Sequence, residues 1–109
     1  MDKGRVHLNI REDDFLAAII ELAQLTQWLV YHTYDSRRSQ AGFPDLVLAK
    51  ADKLIFAELK TAKGVVRPAQ KTWLNILASM AVDQSKVQVY LWRPADWDAI
   101  ETILTDQGE

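Results

Sequence analysis

Apolar and polar residues alternate along this chain in two distinct periods. Apolar residues recur every three or four positions, as in a helix with one face on the core, in three segments: residues 10–29, 70–81 and 94–104. Shorter runs are rich in β-branched and aromatic residues, which favour strands: residues 29–34, 45–49, 54–60 and 87–92. The order α-β-β-β-α-β-α predicts an α/β domain in which helices pack against a mixed central sheet.

The run LIFAELK at residues 54–60 is predicted to be a central strand that is buried on both sides. Strand alternation places Glu58 and Lys60 at the end of one face, and both faces are apolar up to that point. The short interval between this run and the one before it predicts an antiparallel hairpin. The hairpin would bring Asp45, at the edge of the preceding run, to a position beside Glu58.

Two carboxylates and a lysine at the end of a buried strand are costly unless something uses them. Carboxylate oxygens suit a hard divalent cation and an adjacent ammonium suits a phosphate, so Asp45, Glu58 and Lys60 are candidates for a metal-dependent site. Each also has a plainer interpretation. Asp45 follows Pro44 as a turn residue does, and Glu58 and Lys60 form a salt bridge at a strand end.

Two further polar residues are predicted to approach this site from helices. Glu12 lies on the extension of the apolar stripe of the first helix, so it should point towards the sheet, although it also suits a helix cap. Glu21 is the rival acid of that helix and falls between the stripe positions. Gln70 precedes Trp73 by one helical turn, where it either caps backbone amides or reaches the carboxylates.

The composition is that of an ordinary globular protein, with 49% hydrophobic and 26% charged residues among 109. We expect one domain, residues 1–109, in which the polar residues 1–9 are irregular. The absence of cysteine excludes disulfides and thiolate metal sites. No apolar stretch approaches the roughly 18 residues of a membrane span, and no signal peptide is recognisable, so we expect a cytoplasmic protein without a membrane partner.

The net charge of −2 does not favour nucleic acid, yet the charges are unevenly distributed. Residues 35–71 carry eight basic and four acidic side chains, whereas the remainder carries five basic and eleven acidic ones. A basic middle suits a confined phosphate-binding face, and ordinary solvated surface charge explains the pattern equally well. The basic residues that flank the predicted site are Arg37, Arg38, Lys63, Arg67 and Lys71.

Taken together, these residues resemble a known nuclease family. The P-D pair at residues 44–45, followed by E-L-K at residues 58–60, is similar to the PD-(D/E)xK nuclease signature. The finer pattern resembles the VRR-NUC (virus-type replication-repair nuclease) domain in Gly42, Phe43, Pro44, Asp45, Gln70, Lys71 and Trp73. Residues 35–39 and 92–97 also resemble small stand-alone members from phages and bacteria. The resemblance covers roughly residues 10–104.

The resemblance implies a restriction-endonuclease-like α-β-β-β-α-β core with a C-terminal helix, and metal-dependent hydrolysis of phosphodiester bonds. The implied ligands of one or two Mg²⁺ or Mn²⁺ ions are Glu12, Asp45, Glu58 and the backbone carbonyl of Leu59. Lys60 would orient the attacking water or stabilise charge on the scissile phosphate. Gln70 would support the site.

Relatives in this family act on branched or structured DNA, and stand-alone members resemble homodimeric resolvases of four-way (Holliday) junctions. The resemblance therefore implies a DNA endonuclease of repair, recombination or phage replication, acting as a homodimer in a bacterial or phage-infected cell. Two other hypotheses remain open: a non-catalytic DNA-binding module on a nuclease-like fold, and a structural domain whose charges form salt bridges. Intact Asp45, Glu58 and Lys60 favour the enzyme.

Overall fold

The computed structural model describes residues 6–33 and 40–106. Within these ranges the strands are β1 Leu29–His32, β2 Leu46–Lys50, β3 Lys53–Leu59 and β4 Val87–Trp92. The helices are α1 Glu12–Leu25, α2 Pro68–Met80 and α3 Trp97–Thr105, the last preceded by a 3-10 turn, Pro94–Asp96. The predicted order and the α/β class with a mixed sheet are confirmed.

The sheet has the order β1-β2-β3-β4 in the described part of the chain. β1 and β2 pair antiparallel, as do β2 and β3, so the predicted hairpin is confirmed. β4 runs parallel to β3, and α2 provides the crossover between them. Leu46 pairs with Ala57, which places the residue before β2 beside the last residues of β3. The register therefore brings Asp45 next to Glu58.

The core lies between one face of the sheet and the helices α1 and α3. Alternate residues of β2 and β3 turn inward onto the apolar stripes of these helices, since strand side chains point to opposite faces in turn. The fully buried apolar side chains include Phe15, Ile19, Leu46, Leu48, Ile55, Leu59, Ile100 and Leu104. Trp28 fastens α3 to this core, because its indole Nε1 donates to the Leu104 carbonyl at 3.0 Å.

The first helix is shorter than its predicted span of residues 10–29. It ends at Leu25, and Gln27 then takes a left-handed conformation with φ of 78°. The N–H of Trp28 donates back to the Ala23 carbonyl at 2.9 Å, which closes the helix end. Residues 6–10 contain no helix or strand, as predicted, and residues 1–5 lie outside the described ranges.

The opposite face of the sheet is only partly covered, so the expectation that β3 is buried on both sides is wrong. Leu54 and Phe56 on this face remain half-buried, since α2 packs mainly over β4 and has no fully buried residue. On the β1 side Leu29 and Tyr31 are 76% and 61% exposed. We call this uncovered apolar area of β1 and β2 the open face.

None of the described helices is long and apolar enough to cross a membrane.

Candidate active site

The centre of the site is a pair of carboxyl groups at the end of the β2–β3 hairpin. Asp45 accepts a hydrogen bond from the Leu59 backbone N–H at 2.8 Å, which fixes its side chain against the neighbouring strand. The strand register places the carboxyl groups of Asp45 and Glu58 side by side. Two carboxyl groups this close repel each other when both are ionised, so the protonated form of one of them is favoured.

Burial makes Glu58 the more perturbed acid of this pair. Only 2% of its surface is exposed. Burial raises the pKa of Glu58 to about 7, with a further contribution from the negative charge of Asp45, while the Lys60 ammonium acts in the opposite direction. Burial likewise raises the pKa of Asp45, against the lowering effect of the hydrogen bond from Leu59. Glu58 therefore changes its charge near neutral pH, as the acid and base groups of functional sites often do.

Lys60 lies beside the pair, with its Nζ atom 3.6 Å from Glu58 Oε2. Its side chain is 11% exposed, so the ammonium is held within the site and does not extend into solvent. The predicted salt bridge is thus present, and its two members are both largely buried. A buried ion pair of this kind contributes little net stability, which is consistent with a chemical role.

Gln70 both caps a backbone amide and reaches the carboxylates, the two roles that its sequence position left open. Its Nε2 donates to Glu58 Oε2 at 2.8 Å, and its Oε1 accepts from the Arg67 backbone N–H at 2.8 Å. The second bond satisfies a free amide at the start of α2. Because the amide bonds at both ends, its orientation is fixed. Gln70 therefore connects the first turn of α2 to the carboxyl pair.

Gly42 allows α2 to approach this closely. Its φ is 95°, and a Cβ atom at this position would lie 2.5 Å from the Ala69 carbonyl oxygen. No other residue type fits there without displacing the helix. Next to it, the ring of Phe43 packs edge-on against Trp73 at 5.0 Å between centroids. The loop before Asp45 is thus fitted against the first turns of α2.

A cleft of about 440 Å³ is lined by Asp45 and Leu59 on the sheet side and by Glu12 at the start of α1. Partial burial and the charge of Asp45 raise the pKa of Glu12, whereas the charges of Lys60 and Arg67 lower it. Glu12 therefore faces the site, and α1 has no side-chain cap at its start. Glu21 instead lines a separate cavity of about 90 Å³ beside Trp97. Of Glu12 and Glu21, the fold brings Glu12 to the cleft.

The family model of the VRR-NUC domain matches residues 8–91, which is well over half of the chain. The chain belongs to the VRR-NUC domain family. Membership assigns it a nuclease-type function on DNA, and nuclease domains of this kind generally use divalent metals. No curated protein and no solved structure gives a significant match.

The donor set of this VRR-NUC domain fits a hard divalent cation. Asp45 and Glu58 offer neighbouring carboxylate oxygens, and the raised pKa of each shows that their negative charge lacks full compensation. Among the described residues, no three Asp, Glu or His side chains are gathered closely enough to ligate one ion. Glu12 lines the same cleft as Asp45, and the charge of Asp45 raises its pKa.

The predicted DNA-binding residues of the VRR-NUC domain lie at the entrance to α2 where the structure describes them. Lys63, Arg67 and Lys71 are all exposed, in the loop after β3 and in the first turn of the helix. The charge of Arg67 reaches Glu12 in the cleft. Arg37 and Arg38 fall in residues 34–39, outside the described ranges.

One residue of the cleft was missed from the sequence. Thr33 lines the cleft, and its backbone N–H donates to the Asp45 carbonyl at 3.1 Å. Its hydroxyl lies 3.5 Å from the Pro44 carbonyl, so Thr33 holds the backbone from which Asp45 projects. The available signal was strand alternation, because Thr33 follows Tyr31 by two positions and a polar residue there interrupts an apolar face.

Proposed function

We propose that this chain is a Mg²⁺- or Mn²⁺-dependent endonuclease that hydrolyses phosphodiester bonds in branched or structured DNA, four-way junctions included. The observation that carries the proposal is the buried Asp45–Glu58 carboxyl pair, with the Lys60 ammonium 3.6 Å from Glu58, at the cleft of a VRR-NUC domain. A structural domain has no use for such a group of charges, since burying them costs free energy.

Each residue of the site has a proposed role. The ligands of the cation would be Asp45, Glu58, Glu12 and the backbone carbonyl of Leu59. When bound, the cation polarises the phosphate and lowers the pKa of a bound water. Lys60 stabilises the negative charge that develops on the scissile phosphate, because its ammonium is already fixed beside the reacting groups. Gln70 orients Glu58 through its 2.8 Å hydrogen bond.

The basic residues give the DNA backbone a path towards the cleft. Lys63, Arg67 and Lys71 are exposed on one side of the carboxyl pair, and Arg37 and Arg38 belong to the same proposal. Contacts of this type bind phosphates without reading bases, and they make affinity fall as salt rises. Recognition of DNA shape, rather than of a base sequence, suits a branched substrate.

We further propose that two copies of the chain associate through the open face. Leu29 and Tyr31 of β1 are exposed there. Helix α2 covers the β4 side of the same face of the sheet, and it exposes Ile76 by 51% and Met80 by 71%. These four side chains expose on the order of 500 Å², which is large for a monomer and more than half of what one partner contributes to a standard interface. These side chains carry no charge, so they would not bind the phosphates of DNA.

A second copy is the occupant that this surface suits. Each copy presents both an apolar strand surface and an apolar helix flank, so a two-fold contact buries both elements of both copies. A dimer would also provide two cleavage sites for the two strands of a junction. Sedimentation should show a dimer that Tyr31→Glu converts to a monomer, while Val82→Glu, an exposed apolar position outside the open face, leaves it intact. A monomeric wild type would contradict the proposal.

The catalytic proposal is tested with duplex, flap, single-stranded and four-way-junction DNA in the presence of Mg²⁺ or Mn²⁺. We expect cleavage of the branched substrates, lost in Lys60→Ala and retained in Lys86→Ala, an exposed lysine outside the site. Calorimetry should detect Mn²⁺ binding that disappears in Asp45→Ala. Equal activity in Lys60→Ala would refute the assignment. DNA binding without metal binding or cleavage would favour the non-catalytic module.

A further inference from the structure

The loop that follows Lys60 is fixed by an arginine from a distant part of the chain. Arg93, directly after β4, donates from Nη1 to the carbonyls of Thr61 and Gly64, both at 2.8 Å. The Gly64 N–H also donates to the Thr61 carbonyl at 3.2 Å, which closes residues 61–64 into a turn. One guanidinium nitrogen therefore holds both ends of this turn.

This turn packs against the side chain of Lys60. A Cβ atom built on Gly64 would lie 3.3 Å from Lys60 Cδ and 3.1 Å from Thr61 Oγ1, so the turn passes directly over the lysine alkyl chain. The Gly64 backbone is not in the left-handed region, so the residue is needed for its small size and not for its conformation. A long flexible side chain is thereby held with its ammonium beside Glu58.

The sheet topology explains why Arg93 reaches this place. β3 and β4 run parallel, with Leu59 paired to Trp92, and the Lys60 N–H donates to the Trp92 carbonyl at 3.0 Å. Lys60, the residue after β3, therefore lies beside Arg93, the residue after β4. The Arg93 N–H in turn donates to Asp96 Oδ2 at 2.8 Å, which fixes the arginine backbone at the start of the 3-10 turn.

We propose that Arg93 is a positioning residue of the nuclease site: it fixes the turn at residues 61–64, and the turn holds the Lys60 ammonium in place. The inference rests on the proposed function of Lys60 and extends it to a residue beyond the range matched by the family model. The side-chain hydrogen bonds of Arg93 go to the turn and not to Asp45, Glu58 or Glu12, so its effect is exerted through the turn and Lys60.

Kinetics distinguish positioning from binding. In Arg93→Ala we expect kcat for cleavage to fall by at least about tenfold, since a misplacement of about 1 Å at a reacting group costs as much as a hundredfold. KM, DNA affinity and Mn²⁺ affinity should stay unchanged. Arg93→Lys should recover much of the rate, because an ammonium can also donate to two carbonyls. Lys86→Ala serves as the matched loss of one positive charge and should cleave normally.

A second variant separates positioning from folding. Gly64→Ala leaves Arg93 in place and adds one methyl group against Lys60 Cδ, so it should also lower kcat without weakening DNA or metal binding. Thermal unfolding of both variants controls for loss of structure. Unchanged kcat in both variants, or a loss confined to DNA affinity, would overturn the proposal.

A measurement without DNA tests the same contact if the nuclease reaction itself is absent. Lysines are acetylated with an N-hydroxysuccinimide ester, and the modification of each is quantified by peptide mass spectrometry. Lys60 should react slowly in the wild type, because its side chain is 11% exposed, and several-fold faster in Arg93→Ala, while the exposed Lys86 is unchanged in both. Equal protection of Lys60 in both proteins would contradict the inference even in an active enzyme.

Discussion

We expect the substitution Glu58→Gln to make the metal-free protein more stable above neutral pH while it abolishes metal binding. The side-chain amide has nearly the shape of the protonated carboxyl group. Its oxygen can accept from Gln70 Nε2, as Glu58 does at 2.8 Å, and its NH₂ can donate to the neighbouring Asp45 carboxylate. The variant thus keeps the hydrogen bond to Gln70 and removes the titration.

The size of the effect follows from the pKa of Glu58, which is raised from 4.5 to about 7 in the folded protein. The folded state binds a proton that the unfolded chain releases, so the stabilisation is complete below pH 4.5 and is lost as the pH rises through about 7. A shift of this size corresponds to about 3 kcal/mol. The raised pKa values of Asp45 and Glu12 act in the same direction.

Urea unfolding with EDTA at about pH 5 and about pH 8 measures the difference. The free energy of unfolding of the wild type should fall between these conditions by up to about 3 kcal/mol, and that of Glu58→Gln should fall much less. Glu21→Gln, an exposed acid outside the cleft, should behave as the wild type. Millimolar Mn²⁺ should restore the wild type alone at the higher pH. Parallel pH dependences in wild type and Glu58→Gln would refute the reasoning.

Three further predictions concern the support of the site and the core. Gly42→Ala should cost about 2 kcal/mol or more in urea unfolding, because its Cβ atom would meet the Ala69 carbonyl in a left-handed conformation; an unchanged midpoint would contradict this. Gln70→Ala should weaken Mn²⁺ binding about tenfold by calorimetry, since Glu58 loses its orienting partner; equal affinity would show that the pair orients itself. Phe15→Ala should lower the free energy of unfolding by about 3–5 kcal/mol in a thermal melt, and a much smaller loss would mean that the core refills the space.

The elements were predictable where local pattern and tertiary structure agree. The run at residues 87–92 is bounded by polar residues and by Pro94, and β4 occupies it fully. The end of α1 was not predictable, since it depends on a left-handed Gln27, a residue type that gives no such signal, whereas Gly or Asn would have. The half-exposed Leu54 and Phe56 were also unpredictable, because apolar alternation does not show how much of a face a helix covers.

The contacts of the site also divide into those that local sequence predicts and those that depend on tertiary packing. The contact between Asp45 and Glu58 followed from the hairpin, a local feature whose register the sequence nearly determines. The choice of Glu12 over Glu21 required the packing of α1 against the sheet. The contacts of Arg93 were not predictable, since they join segments about thirty residues apart through a parallel pairing, although residues 92–97 belong to the family resemblance. The chemical roles of all these residues stay predictions, which measurements of metal binding and DNA cleavage test.

The parallel pairing of β4 with β3 also orders events while the chain is being synthesised. A ribosome releases the N-terminal part first, so Glu12, Asp45 and Glu58 emerge before β4 exists. The backbone of Lys60 is fixed only when the Trp92 carbonyl reaches it. A nascent chain therefore carries the acidic groups of the site before the contact that fixes the backbone of its lysine can form.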